Sequence, residues 1–298
     1  MAGSKTELEA FLASEVAKYQ GAAVPIRSGF FRRLLVWRLP VKKLHPNPDD
    51  VFCSPEIGPN NGIISEYVAD FQRNGGADIR RAEEPVIVER IYPDGYMIVN
   101  GHHRWAAARK VGRRWINVRI VNLTHELDIR QTIQNSRHSK RVTLDLDEVV
   151  FRPETDPHVE PPLRWPLNKI YKEPLRLGVP ALFHHLNTIG YDIWLYSSRF
   201  YTREYIHFYF KKRHALVIGV VTGSADRLKT AGRLREQLEK LAAAKYTSTI
   251  HIDSEAVLRF RTGSRDFEDF RLSGAADTWA EEVRQVIDGL EGLTKRPT

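Results

Sequence analysis

The stretch MIVNGHHRWAAARKVG (residues 97–112) joins a strand-like run to an alanine-rich helix through one glycine and two histidines. A helix N-terminus presents unpaired backbone N–H groups and a partial positive charge. Gly101 lets a ligand approach the backbone there, and His102, His103 and Arg104 add side-chain donors at the same point. Those features suit a phosphate cradle. A plainer arrangement, with Asn100 capping the helix and the histidines serving as ordinary surface or core residues, fits the residues equally well.

Outward from this stretch the order of elements becomes legible. EPVIVERIY (84–92) and GYMIVNG (95–101) read as strands joined by the turn Pro93-Asp94-Gly95. Upstream, IISEYVADFQRNG (63–75) places Ile64, Tyr67, Val68 and Phe71 on one helical face and closes with Asn74-Gly75. VWRLPVKKL (36–44) reads as a strand stopped by HPNPDD, SPEIGPNNG (54–62) as a loop, and residues 5–19 as an amphipathic helix. Downstream, the helix ends at Gly112, INVRIVN (116–122) is a strand, and residues 123–140 look like a polar connector.

A second rhythm begins at RVTLDLDEVVF (141–151). RVTLDLD, YDIWLYS (191–197), ALVIGVV (215–221) and STIHID (248–253) read as strands. The helices between them are PALFHHLNTIG (180–190), TREYIHFYFKK (202–212) and residues 225–244, the last with Leu228, Leu234, Leu238 and Leu241 on one side. Strands alternating with helices at this length predict an α/β fold with a parallel sheet. Functional groups of such sheets lie beyond the carboxyl ends of the strands, which selects Asp145, Asp147, Ser197, Thr222 and Asp253. Asp145 and Asp147 lie two apart and share one side of an extended strand end. Paired carboxylates there suit a magnesium ion, a nucleophile and a proton donor. Ser197 is placed to hydrogen-bond a phosphate oxygen, Lys229 to neutralise phosphate charge, and Asp253 to complete a metal site.

Composition narrows the class. The chain has 298 residues, 42% of them hydrophobic, and a net charge of +8. Residues 1–140 carry 21 Lys and Arg against 15 Asp and Glu, and residues 141–298 carry 24 against 22, so the front half is the basic one. FFRRLLVWRLPVKK (30–43) and RKVGRRW (109–115) supply much of that charge, in a pattern that suits a nucleic-acid backbone, anionic metabolites or a solvated face. No apolar run approaches the length of a membrane span. The first residues lack a secretory core, and Cys53 stands alone, so neither an internal disulfide nor a cysteine zinc site can form. A cytoplasmic protein without a membrane partner is the expectation.

Two resemblances follow from these motifs. LPVKKLHPNP, the glycine-ended helix and the run through HHRWAAARKVG, about residues 36–122, resemble the ParB/sulfiredoxin fold. In that superfamily the Gly-x-x-Arg segment binds nucleotide phosphates, which implies such roles for Gly101, His102, His103 and Arg104, with ATP or CTP as the nucleotide. Sulfiredoxin needs a cysteine where this chain has His102, and partition proteins carry a helix-turn-helix region where this chain begins its second rhythm. The superfamily's serine kinases have a similar Gly-His-His-Arg run, with Asn100 here replacing their aspartate. Asp49, Asp50 and Glu56 are this chain's candidates for a kinase base.

The second resemblance, over about residues 141–258, is to the haloacid dehalogenase (HAD) phosphohydrolases. LDLDEVVF implies Asp145 as nucleophile and Asp147 as general acid/base. LYSSR implies Ser197 as the phosphate-binding hydroxyl, VVTGSADRLK implies Lys229 as the charge-neutralising lysine, and IHIDSEAV implies Asp253 as a metal ligand. The resemblance implies Mg2+ held by Asp145, Asp147 and Asp253. The second acid expected near Asp253 is missing, with Ser254 next in line and Glu255 the nearest substitute. The interval from Asp147 to Ser197 leaves no room for a separate cap domain, so the site is expected to be open, with RPETDPHVEPPLRWP (152–166) as a short flap edged by Trp165.

Together these imply residues 1–122 as a nucleotide-binding domain, 123–140 as a connector, and 141–298 as a capless HAD-like phosphohydrolase. The expected protein processes phosphate twice, with a nucleoside triphosphate in front and a phosphorylated substrate, a nucleic-acid end or a nucleotide, behind. Two alternatives stay open: a small-molecule kinase–phosphatase, and a nucleotide-gated binding module whose HAD half no longer turns over.

Overall fold

The computed structural model describes residues 7–73, 84–223, 236, 239–261 and 267–293. The chain divides into two compact units, Met1–Asn122 and Leu123–Thr298, each with its own mixed α/β sheet.

In the first unit the strands are β1 (Val24–Pro25), β2 (Val36–Pro40), β3 (Leu44–His45), β4 (Val86–Tyr92), β5 (Tyr96–Asn100) and β6 (Trp115–Val121). Their order is β2-β6-β4-β5-β3, with β1 paired to β4. The expected single strand over 36–44 is broken. Pro40 has no N–H for a ladder, residues Val41–Lys43 form a 3-10 turn, and Leu44–His45 joins the opposite edge of the sheet, parallel to β5. Helices α1 (Glu7–Tyr19), α2 (Phe30–Leu34), α3 (Asn61–Arg73) and α4 (His102–Lys110) complete the unit. Ala106, Ala107 and Ala108 of α4 are buried with Ile64, Phe71, Val86, Val88, Ile98 and Trp105. Small side chains at those positions let α4 lie close to its neighbours.

In the second unit the strands are β7 (Lys140–Asp145), β8 (Tyr191–Tyr196), β9 (Gly219–Val221), β10 (Ser248–Ile252), β11 (Ala256–Arg261) and β12 (Phe267–Arg271), in the order β12-β11-β10-β7-β8-β9. Strands β10, β7, β8 and β9 run parallel, and β11 and β12 extend the sheet antiparallel. The parallel strands read as near-continuous apolar runs because both faces are covered. Of the expected strand over 215–221, only Gly219–Val221 pairs. A Cβ on Gly219 would lie 2.1 Å from the Trp194 ring, so a glycine is what lets β9 approach β8.

Helices α5 (Glu126–Asn135), α6 (Val179–Thr188), α7 (Arg203–Lys211) and α8 (Trp279–Leu290) belong to this unit. The expected connector over 123–140 is therefore corrected. Ile129 and Ile133 of α5 are buried with Trp194, Val221, Ala242 and Tyr246, so this segment is part of the second core. Most of the expected helix over 225–244 lies outside the described residues. No helix among the described residues is long and apolar enough to cross a membrane.

Candidate functional sites

The register of the parallel strands brings four side chains to one end of the second sheet. Asp145 ends β7 opposite Tyr196 of β8, and Leu144 pairs with Ile252, which sets Asp253 beside Asp145. Ser197 follows β8 and donates its N–H to the Val221 carbonyl of β9, after which comes Thr222. Beyond Asp145 the chain makes one π-helical turn, Leu146–Val150, and Asp145 Oδ1 accepts the N–H groups of Asp147 at 2.7 Å and Glu148 at 2.8 Å.

Asp147 is held by a converging set of donors. Ser197 Oγ donates to its two carboxylate oxygens at 2.9 and 3.0 Å. The Ser198 N–H (2.8 Å) and Ser198 Oγ (2.9 Å) donate to Oδ2, and Arg199 Nε stands 3.7 Å from Oδ1. Two hydroxyls, an amide N–H and a guanidinium around one carboxylate make an anion-holding site, and phosphate oxygens satisfy the same donors. Ser198 and Arg199 were not singled out from sequence, although LYSSR placed them directly after Ser197. Arg199 also donates to Tyr201 Oη at 3.3 Å. The Tyr201 and Tyr205 rings stack 6.1 Å apart at 9°, which puts an aromatic wall beside the anion site.

The remaining expected residues separate. Thr222 Oγ1 donates to the Tyr201 carbonyl at 2.8 Å and so serves the backbone. Asp253 is exposed and accepts the N–H of Ser254 at 2.6 Å. Lys229 lies outside the described residues. Among the described residues no group of three or more acidic, histidine or cysteine side chains is placed to hold a metal ion. Asp145, Asp147 and Asp253 are thus not gathered as the expected magnesium site, because the serines draw the Asp147 carboxylate toward β8. Beside the acids lies a fixed cation that sequence reasoning missed. Arg176 is buried 4.1 Å above the Trp279 ring and donates to Ser254 Oγ at 3.3 Å. Burial first, and Arg152 second, push its guanidinium down to about 10. Of the expected flap, Trp165 is 77% exposed, and bridges Phe151–Leu175 and Val159–Arg176 fold the segment back on itself.

In the first unit Gly101 caps α4 with φ +97°, a left-handed conformation that disfavours a side chain. His102 is buried, and its Nε2 accepts the Asn47 N–H at 3.2 Å. That leaves the proton on Nδ1, 3.6 Å from Asp50 Oδ2. Burial pushes His102 down to about 4, against the opposing pull of Asp50. His103 Nε2 accepts the Asn60 N–H at 3.1 Å, and its pKa is also lowered by burial. The two rings thus act as neutral clamps that pin two loops over the mouth of α4. Of Asp49, Asp50 and Glu56, Asp50 is the acid brought to His102.

Arg104 points elsewhere. It is buried, and its guanidinium donates to Glu84 Oε2 at 2.7 Å, the Pro85 carbonyl at 3.3 Å and Tyr67 Oη at 3.3 Å. Its fork is committed inside the unit, so the donors left at the helix mouth are the backbone N–H groups and the ring of His103. Burial and the Asp50 charge push the Cys53 thiol up to about 12, which leaves it without thiolate character.

A family model described as the ParB N-terminal domain matches residues 79–137. No curated protein matches the chain. Among solved structures, the C-terminally truncated chromosome-partitioning protein ParB from Caulobacter crescentus, complexed with CTP-γ-S, is 22% identical. That match covers 35% of this chain and 56% of that one, with a TM-score of 0.24. The same protein complexed to the centromeric parS site is 21% identical over 34% of this chain and 49% of that one, with a TM-score of 0.22. The chain thus spans about half the length of these ParB structures. A free serine kinase mutant in complex with AMP is 12% identical, covering 88% of this chain and 85% of that one, with a TM-score of 0.24.

Proposed function

We propose that the second unit hydrolyses phosphate monoesters through Asp145, and that the first binds a nucleoside triphosphate, ATP or CTP, at the mouth of α4. The observation that carries the first reading is the donor set of Ser197, Ser198 and Arg199 around Asp147, next to the free end of β7. A substrate phosphate competes for those donors and releases Asp147, which takes up a proton from solvent beside the phosphate charge. An Asp145 oxygen then attacks phosphorus while the ester oxygen leaves with a proton from Asp147. The acyl phosphate that results is hydrolysed when Asp147, now ionised, takes a proton from a water that attacks phosphorus. Inorganic phosphate departs and Asp145 is regenerated. Ser197, Ser198 and Arg199 hold the non-bridging oxygens throughout, where their dipoles and charge oppose the developing negative charge. The oxygen-rich pair Asp145 and Asp253 suits magnesium in donor type, but the three carboxylates as placed do not form its site, and no step above runs through a metal.

The nucleotide reading is supported by the ParB N-terminal domain match over 79–137 and by the glycine-opened helix within it. The substrate class uniting a basic front half with a phosphate-removing back half is a nucleic-acid end or a nucleotide.

The test is hydrolysis of an aryl phosphate by the whole chain, with and without added magnesium. Asp145→Asn removes the attacking oxyanion and is expected to lower the rate at least roughly a hundredfold, about 2.7 kcal/mol of barrier. Turnover near that of the unaltered chain in a pure preparation of this variant would end the reading.

A further inference from the structure

The first unit carries an aromatic, arginine-rich face that neither site uses. Residues 16–48 hold seven Lys and Arg and no acid, and residues 95–125 hold six and no acid. The fold brings these two stretches together, because β2 pairs antiparallel with β6. The register sets Val36 opposite Arg119, Arg38 opposite Asn117, and Pro40 opposite Trp115. Ile116 and Val118 face the core, so the alternate residues Trp115, Asn117 and Arg119 of β6, with Val36 and Arg38 of β2, share the other face, on which Asn117 is buried and its neighbours are exposed. Trp115 is 46% exposed and Phe31 of the adjoining α2 is 77% exposed. Trp37 projects from the opposite side of β2, where its Nε1 donates to the Arg32 carbonyl at 2.7 Å and so holds α2 at the edge of this face. The side chains of Arg32, Arg38, Arg114 and Arg119 are exposed and make no hydrogen bond or ion pair among the described residues.

From this juxtaposition we infer that the β2–β6 face, with α2 at its edge, binds single-stranded nucleic acid. Unpaired guanidinium groups complement backbone phosphates, and exposed aromatic rings give unpaired bases a stacking platform. A second copy of the chain fits the face poorly, since Arg38 and Pro40 blunt the β2 edge against strand addition. A lipid surface fits it poorly too, because α2 is a five-residue helix and the arginines alternate with the aromatics rather than lying on a separate polar side. The inference rests on the nucleic-acid-end reading for its choice of partner. It places strand binding on the first unit, apart from the residues of either site.

The experiment is fluorescence anisotropy of the whole chain with labelled oligothymidylate and oligouridylate, over a range of salt. The two arms distinguish DNA from RNA. Each phosphate contact contributes roughly 0.7 to the logarithmic salt slope for a single strand. Arg38→Gln combined with Arg119→Gln is therefore expected to lower the slope by about 1.4. Trp115→Ala and Phe31→Ala are each expected to weaken binding by about fivefold or more. Unchanged affinity and slope in these variants overturns the inference. So does tighter binding to anionic phosphatidylserine vesicles than to either strand, or self-association that Trp115→Ala abolishes. Circular dichroism melts confirm that each variant is folded. Asp145→Asn should bind the strand normally, and the double arginine variant should hydrolyse the aryl phosphate normally. Strand binding without any hydrolysis would therefore end the catalytic reading and leave this surface standing.

Discussion

His102 shows how one buried side chain ties loop geometry to pH. Its ring accepts an N–H from Asn47, so the folded unit needs it neutral. An imidazolium has no lone pair for that bond and would carry its charge into a site only 5% exposed. Burial accordingly holds the group at about 4, below its ordinary 6.5. The sign follows from proton counting. Between those values the unfolded chain binds a proton that the folded chain refuses, so stability is full above about pH 6.5 and falls as pH drops toward 4. A shift of that size corresponds to roughly 3 kcal/mol. Thermal melts of the whole chain should show the loss. His102→Gln keeps an amide oxygen for Asn47 but cannot titrate, so its melting temperature should depend less steeply on pH over that window. Equal slopes in the two proteins would show that His102 is not the titrating group.

At the scale of elements, the strand–glycine–helix unit β5–Gly101–α4 is the part of the fold that its residues state most directly. A short apolar strand, a glycine and three consecutive alanines define it, and Gly101 indeed takes the left-handed conformation. A Cβ there would lie 3.3 Å from Val86 Cγ2, a contact that small shifts relieve, so backbone strain dominates the cost of substitution. Gly101→Ala is expected to destabilise the chain by about 1–2 kcal/mol and to weaken nucleotide binding measured by calorimetry. Normal stability and affinity would show that neither the turn nor the approach of a ligand needs the glycine. Other elements were less legible for physical reasons. The partner of Arg104 is Glu84, twenty residues away on the far side of a hairpin, so a motif-level reading sent its guanidinium outward to phosphate. Strand β12 is an edge strand with most residues exposed, and lacks the alternation that marks a half-buried strand. That Asp145, Ser197 and Asp253 end their strands on one side of the sheet is legible in the sequence, because parallel strands deliver their ends to one place, whereas their roles are not. The capture of Asp147 by Ser198 was not found, because it depends on side-chain direction after the strand has ended.

At the scale of the whole molecule, the two units have separate cores, and the boundary between them decides which pieces stand alone. Read from polarity, 123–140 is a linker that could be cut anywhere. In the structure Ile129 and Ile133 fill the space beside Trp194 and Tyr246, and the Thr124 hydroxyl donates to the Val220 carbonyl. Removing two buried isoleucines costs roughly 3–6 kcal/mol, a large share of the 5–15 kcal/mol typical of a domain. A fragment of residues 123–298 should therefore fold, whereas one of residues 141–298 should melt far lower or aggregate. The residues proposed for hydrolysis, Asp145, Asp147, Ser197, Ser198 and Arg199, all lie in the second unit. The longer fragment should thus keep the aryl-phosphate activity of the whole chain and lose it on Asp145→Asn. Equal melting temperatures for the two fragments would show that α5 adds nothing to the core. A folded but inactive 123–298 fragment would mean that the first unit supplies a group to the reaction, and the mechanism built on the strand-end cluster alone would fail.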